Sequence, residues 1–80
     1  MIDNFHRRFL GVFGMTPYAY MLSQRMNHAR RLLASTDRSI KEIALSVGYD
    51  DPAYFTRVFT REVRITLTAY RVKRRPGTGG

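Results

Sequence analysis

The stretch Ser39-Ile40-Lys41-Glu42-Ile43-Ala44-Leu45-Ser46-Val47-Gly48-Tyr49-Asp50-Asp51-Pro52-Ala53-Tyr54-Phe55-Thr56-Arg57-Val58-Phe59-Thr60-Arg61 decides the fold. It opens on Ser39-Ile40-Lys41-Glu42, a capping box. The serine hydroxyl and the glutamate carboxylate three residues later satisfy each other's otherwise orphaned backbone N–H groups. Ile40, Ile43, Ala44 and Val47 then recur at i, i+3, i+4 and i+7, which is one face of a helix. Gly48 stops that helix, because only glycine enters the left-handed region without penalty. Asp51-Pro52 starts a second helix, with a side-chain acceptor followed by a proline whose missing N–H costs nothing in the first turn. Phe55, Val58, Phe59 and Val63 give this helix an apolar underside. Two short helices, Ser39–Val47 and Pro52–Val63, are thus joined by Gly48-Tyr49-Asp50-Asp51, which is the pattern of a helix-turn-helix. Ala44 supplies the small residue where the helices cross, and Ile43, Val47 and Tyr49 supply the apolar flanks. The turn is about one residue longer than in the tightest form of this motif.

The outer face of the second helix carries Ala53, Thr56, Arg57, Thr60 and Arg61, with Tyr54 at its edge. Residues near the start of a recognition helix are the ones that reach base edges in the major groove. Arg57 suits a guanine edge or a phosphate, and Thr56 and Tyr54 suit a thymine methyl or a phosphate. Pro52 and Ala53 offer van der Waals contact alone. Phosphate contacts are expected from Arg38, Ser39 and Lys41, at the start of the first helix of the pair, and from the helix start at Pro52. On periodicity alone, the competing reading is a helical hairpin with a merely solvated polar face.

Outward from this stretch the periodicity stays helical. Towards the N-terminus, Phe5, Phe9, Val12 and Phe13 share one face of a first helix, about Asp3–Phe13, and Gly14 supplies its left-handed stop. Thr16-Pro17 repeats the cap-then-proline pattern. It opens a long helix to Ser35, with Met21, Leu22, Met26, Ala29, Leu32 and Leu33 as an apolar stripe. Towards the C-terminus a short helix is expected from Leu67 to about Arg75, capped by Thr66, and then a flexible tail, 76–80. Tyr18, Tyr20 and the three methionines Met15, Met21 and Met26 are expected to pack. His28 is expected to be a surface or partly buried residue. No strand pattern occurs, so the fold class is all-α.

Eighty residues make one small domain, and 14 basic residues against 6 acidic give a net charge of +8. Residues 1–35 hold five basic and one acidic side chain, residues 36–55 two and four, and residues 56–75 seven and one. The positive charge therefore gathers on the last two helices, and twelve of the fourteen basic residues are arginine. This points to a polyanionic partner: nucleic acid, or failing that an anionic membrane surface. The absence of cysteine excludes disulfides and thiolate metal sites. His6 and His28 are too far apart in sequence for a metal-ligand pair, so neither a metal nor a cofactor is expected. No apolar run reaches membrane-spanning length and no signal peptide is evident, so a cytoplasmic protein is expected. No Ser/His/Asp grouping, glycine-rich phosphate loop or carboxylate pair suggests an enzyme.

From Asn4 to Arg71 the chain resembles the C-terminal DNA-binding domain of the AraC/XylS family of bacterial transcription regulators. Four stretches carry the resemblance: Phe9-x4-Gly14-Met15-Thr16-Pro17-x2-Tyr20; Arg25-Met26-x2-Ala29-x2-Leu32-Leu33; Ser39-Ile40-x-Glu42-Ile43-Ala44-x2-Val47-Gly48-Tyr49-x-Asp51; and Tyr54-Phe55-x-Arg57-x-Phe59, ending at Tyr70-Arg71. The resemblance implies homeodomain-like architecture with two helix-turn-helix units joined by a long helix, each placing a recognition helix in the major groove. Here that means a partial first unit at 1–14, a joining helix at 17–35, a complete second unit at 39–63 and a C-terminal helix at 67–75. Double-stranded DNA is then the partner and RNA polymerase a further candidate. By position, Asp3, His6 and Arg7 of the first recognition helix would face DNA, with Asp3 accepting from a cytosine amino group.

The sequence departs from the family pattern in two places. It begins inside the first unit, so the Phe5/Phe9/Phe13 face is expected to lack part of its cover and to seek a second copy of the chain. Arg64 and Leu67 also stand where the family usually has glycine and proline. A left-handed non-glycine cap is costly, so the fourth helix is expected to run on past Val63 or to exit with a different bend. The alternative to DNA reading is a basic helical module for protein interaction or anionic surfaces, without base readout.

Overall fold

Side-chain caps set where the helices begin. In the computed structural model, which describes residues 4–74, the Thr16 hydroxyl accepts from the Ala19 N–H at 3.1 Å, and the Thr66 hydroxyl accepts from Ala69 at the same distance. Ser39 and Glu42 form the reciprocal box, with Glu42 N–H to Ser39 Oγ at 3.1 Å and Ser39 N–H to Glu42 Oε1 at 2.8 Å. The Asp51 carboxylate accepts from Ala53 N–H at 3.0 Å. Five helices result: α1 (Asn4–Phe13), α2 (Pro17–Ser35), α3 (Ile40–Ser46), α4 (Pro52–Val63) and α5 (Leu67–Arg74). No strand occurs among the described residues. The all-α class read from the sequence is therefore correct. The side chains of Asn4, His6 and Arg74, the expected DNA-facing Asp3, the expected helix end at Arg75 and the expected tail 76–80 lie outside the described part of the structure.

The core gathers along α2. Leu22, Met26, Ala29 and Leu33 form its buried stripe, against Ile43 and Ala44 of α3, Val47 and Tyr49 of the turn, Phe55, Val58 and Phe59 of α4, and Leu67 of α5. Ala44 and Ala29 have no exposed surface, which lets the helices approach closely at those points. Phe55 and Phe59 are also fully buried, and each contributes roughly 1.5–3 kcal/mol of transfer free energy. No described residue of α1 reaches that degree of burial. Instead α1 is attached by rings: Phe9 and Phe13 lie 5.4 and 4.9 Å from Tyr20 between centroids.

One arginine closes the far side. The Arg71 guanidinium, projecting from α5, donates to the carbonyl oxygens of Leu33 at 3.2 Å, Thr36 at 3.1 Å and Arg38 at 2.8 Å. These carbonyls belong to the end of α2 and the connection into α3, where helix geometry leaves acceptors without partners. Arg71 therefore ties three elements at one point.

The exit of α4 turns on Arg64. The helix stops at Val63, and Arg64 itself takes the left-handed conformation, φ 75°, with its N–H donating to the Thr60 carbonyl at 2.9 Å. The expectation that α4 runs on is thus corrected. Running on would carry Leu67 and Tyr70 away from the core, where Leu67 is buried and Tyr70 meets Phe59 edge to face at 5.8 Å. Gly14 makes the same exit from α1, with φ 72° and a 2.9 Å bond to the Leu10 carbonyl. The correspondence continues: Phe9 meets Tyr20 edge to face, as Phe59 meets Tyr70. Phe9, Gly14, Thr16, Ala19 and Tyr20 are matched fifty residues later by Phe59, Arg64, Thr66, Ala69 and Tyr70.

Replacing Arg64 by glycine removes the left-handed penalty at an exposed site, partly offset by the extra freedom glycine gains when unfolded. Arg64→Gly is expected to stabilise the chain by about 0.5–1 kcal/mol. A urea unfolding midpoint that stays put or falls would contradict this.

Candidate nucleic-acid interface

The interface is set by the angle at which α4 sits. Its underside is held by Phe55, Val58 and Phe59, so the opposite side must face out. Ala53, Tyr54, Thr56, Arg57 and Arg61 are exposed there, while Pro52 and Thr60 are half-buried. Thr56 is exposed, and its hydroxyl donates to the Pro52 carbonyl at 2.8 Å. The Arg57 guanidinium lies over the Tyr54 ring, 5.9 Å from its centroid. The turn before α4 holds Gly48 at φ 101° and a buried Tyr49, whose N–H donates to the Ala44 carbonyl at 2.8 Å.

Arg61 is engaged differently. Its Nε donates to Glu62 Oε2 at 3.0 Å, and this bond raises the guanidinium's pKa above its ordinary value. Tyr18 and Tyr54 stand close enough to act on the same charge. Packing is the sequence expectation for Tyr18; it is instead 60% exposed, at the start of α2 and near Arg61. Met21, one turn on, is exposed as well, because it lies beside the buried stripe of α2 that runs through Leu22 and Met26; Tyr18 is in line with that stripe but stands a turn before its first buried residue. Tyr20 and Met26 do pack, and Met15 and His28 are half-buried. The place of Tyr18 beside the interface is not legible in the sequence, since nothing near it marks Arg61 as a neighbour.

Arg38, Ser39 and Lys41 are all exposed beside the start of α3. The Ser39 hydroxyl and N–H are both engaged with Glu42, and Arg38 Nη1 donates to Ser46 Oγ at 3.5 Å. The helix starts at Ser39 and Pro52 thus already hold the carboxylates of Glu42 and Asp51, which compete with phosphate for the positive helix end. In α1, Arg7 and Arg8 are exposed, and Arg7 stands fifty residues before Arg57. Among the described residues no group of three metal-ligating side chains occurs, and no helix is long and apolar enough to cross a membrane.

A helix pair with a fully buried alanine in its first helix, and a second helix showing arginine and threonine above buried aromatic rings, is a helix-turn-helix module of the DNA-binding class. Comparison with known proteins narrows the class. A helix-turn-helix domain family model matches residues 3–73. The MmsAB operon regulatory protein of Pseudomonas aeruginosa is 36% identical over 81 residues, covering 99% of this chain and 26% of that protein. A transcriptional regulator with an AraC-type DNA-binding domain from Chromobacterium violaceum superposes with TM-score 0.82 at 32% identity, covering 90% of this chain and 64% of that one. The DNA-binding domain of the transcriptional factor AdpA, solved with a target DNA, superposes with TM-score 0.79 at 33% identity, covering 86% and 62%. The chain belongs to the AraC-type family of helix-turn-helix DNA-binding domains. It spans about a quarter of the length of the regulatory protein it matches. The family is one of DNA-binding domains.

The Glu42 carboxyl is held below its ordinary 4.5, first by the Ser39 N–H, then by the Ser39 hydroxyl, with Arg38 adding a smaller pull. The folded value lies below the unfolded one, so its contribution to stability is whole above pH 4.5 and is lost as pH falls through the folded value. Glu42→Gln keeps a capping-box acceptor but cannot titrate. The variant is expected to lose less melting temperature than the parent between roughly pH 5 and pH 3. Equal losses in thermal unfolding would rule this out.

Proposed function

We propose that the chain binds double-stranded DNA sequence-specifically, as the DNA-binding part of a bacterial transcription regulator, with α4 in the major groove. The observation that carries the reading is the outward arrangement of Ala53, Tyr54, Thr56, Arg57 and Arg61 above a buried Phe55 and Phe59. Residues 1–75 act in this reading as one domain: a first unit at 1–14, a joining helix, a second unit at 39–63 and a closing helix. Arg57 contacts a base edge or phosphate. Pro52, Ala53, Tyr54, Thr56, Thr60 and Arg61 line the same groove. Arg38, Ser39 and Lys41 take phosphates, and Asp3, His6 and Arg7 face DNA from the first unit. The fifty-residue correspondence supports Arg7 as the counterpart of Arg57. RNA polymerase is a further candidate partner, and the nucleoid is the bound protein's place within the cytoplasm.

Anisotropy titration on a duplex selected from random sequence tests this directly. Arg57→Ala is expected to weaken binding about tenfold and to relax preference at one base position. An unchanged affinity and preference would remove the assignment of this face. Equal binding to scrambled duplex and to anionic vesicles at physiological salt would favour the alternative, a basic helical module that reads no bases.

A second reading rests on α1. Val12 is 75% exposed and Phe13 about half exposed, beside Phe5 on the same helix. We infer self-association through this Phe5/Phe9/Phe13 face. Sedimentation is expected to show dimers that Phe13→Ser shifts to monomer. A clean monomer at all concentrations would exclude it.

A further inference from the structure

A line of four side chains connects the joining helix to the outer face of α4. The half-buried Arg25 of α2 places its guanidinium carbon 5.2 Å from the centroid of the Tyr49 ring. The same guanidinium covers Gly48, so close that a Cβ there would stand 3.2 Å from its Cζ. Tyr49 is buried and meets Tyr54 at 5.9 Å on one side and Phe55 at 5.5 Å on another. Tyr54 in turn carries the Arg57 guanidinium at 5.9 Å. The order is cation, ring, ring, cation, and it runs through the helix-turn-helix turn.

We propose that Arg25 is a positioning residue for base reading, which acts through Tyr49 and Tyr54 to fix the direction of Arg57. The proposal rests on the reading of α4 as the recognition helix. The electron-rich faces of the two rings attract the guanidinium groups at the ends of the line. An arginine loses much rotamer freedom when it makes two bonds to one base, and a ring that already holds it reduces that loss. Phosphate contacts tolerate a small displacement of the side chain, whereas a bidentate contact with a base edge does not. Arg25 touches the Gly48–Tyr49 turn, not the outer face of α4. Its removal should therefore affect discrimination between sequences more than attraction to DNA in general.

The experiment uses the 80-residue chain, the duplex it selects from random sequence and a scrambled duplex, titrated at one salt concentration. The readout is the ratio of the two affinities, with the folded fraction checked by circular dichroism. Arg25→Leu is expected to lower the ratio about three- to fivefold, the size of one cation–ring contact at the modest end of its range. Arg25→Lys, which keeps a cation over the ring, should retain most of it. Arg25→Gln, which is shorter but keeps a planar polar end without charge, should behave as Arg25→Leu and serves if the leucine variant does not fold. In an Arg57→Ala background, loss of Arg25 should lower the ratio no further. An unchanged ratio in both Arg25→Leu and Arg25→Gln, or the same fold loss repeated on top of Arg57→Ala, would overturn the proposal. If Arg57→Ala itself leaves the ratio unchanged, the recognition-face reading fails and takes this inference with it. If Arg57→Ala lowers the ratio and Arg25→Leu does not, only the positioning role fails.

Discussion

The burial of Phe55 and Phe59 is the constraint on which the remaining structure depends. They stand four residues apart on α4 and are fully enclosed by α2, the turn and α5. A helix with two large rings so fixed cannot rotate about its axis without opening a cavity, which costs several kcal/mol for a lost phenylalanine contact. Its 3.6-residue period then dictates that Thr56, Arg57 and Arg61 face away. The outer face of α4 is in this sense a by-product of its inner one. Tyr70 packs on Phe59, and its neighbour Arg71 reaches the carbonyls at the end of α2, so α5 seals the same arrangement from behind.

Most of the helical framework is legible in the sequence because its causes are local. The Thr16, Ser39 and Asp51 caps, the glycine at residue 48 and the small Ala44 each act within a few residues of themselves, and each is found doing so. The illegible part spans the chain. The carbonyls held by Arg71 lie 33–38 residues away, and no local pattern distinguishes a capping arginine from one facing DNA. Arg25 over Tyr49 is similar. Arg64 departs from expectation for a different reason. Its intrinsic preference does oppose the left-handed state, but tertiary demands from Leu67 and Tyr70 outweigh a backbone penalty of about 1–2 kcal/mol. Met21 falls outside the core because helical periodicity defines a stripe whose edges can shift by one position, and Tyr18 because it stands a turn before the stripe's first buried residue.

Charge at the interface is balanced rather than maximal. Asp51 and Glu42 occupy the positive ends of α4 and α3, and Glu62 holds Arg61. Each carboxylate weakens attraction to any polyanion, and so reduces binding to random DNA along with binding to a true site. The two helix-end carboxylates are also caps that hold α3 and α4 in place. The geometry needed for reading bases is therefore obtained at some loss of general affinity, which favours discrimination over grip.

The matched exits of α1 and α4 have a consequence for protein engineering. Both helices leave through a left-handed residue, a threonine cap and a tyrosine laid edge-on against a phenylalanine, with closely similar bond lengths. The two frames are thus sockets of one standard. A helix transplanted between them meets the same anchor points at its C-terminal end, so its outward residues can be exchanged as a cassette while the frame stays fixed. The frames differ in the residue after the tyrosine: Arg71 in one reaches the carbonyls at the end of α2, whereas the other has Met21, which carries no donor. The second socket is the one that carries its own lock.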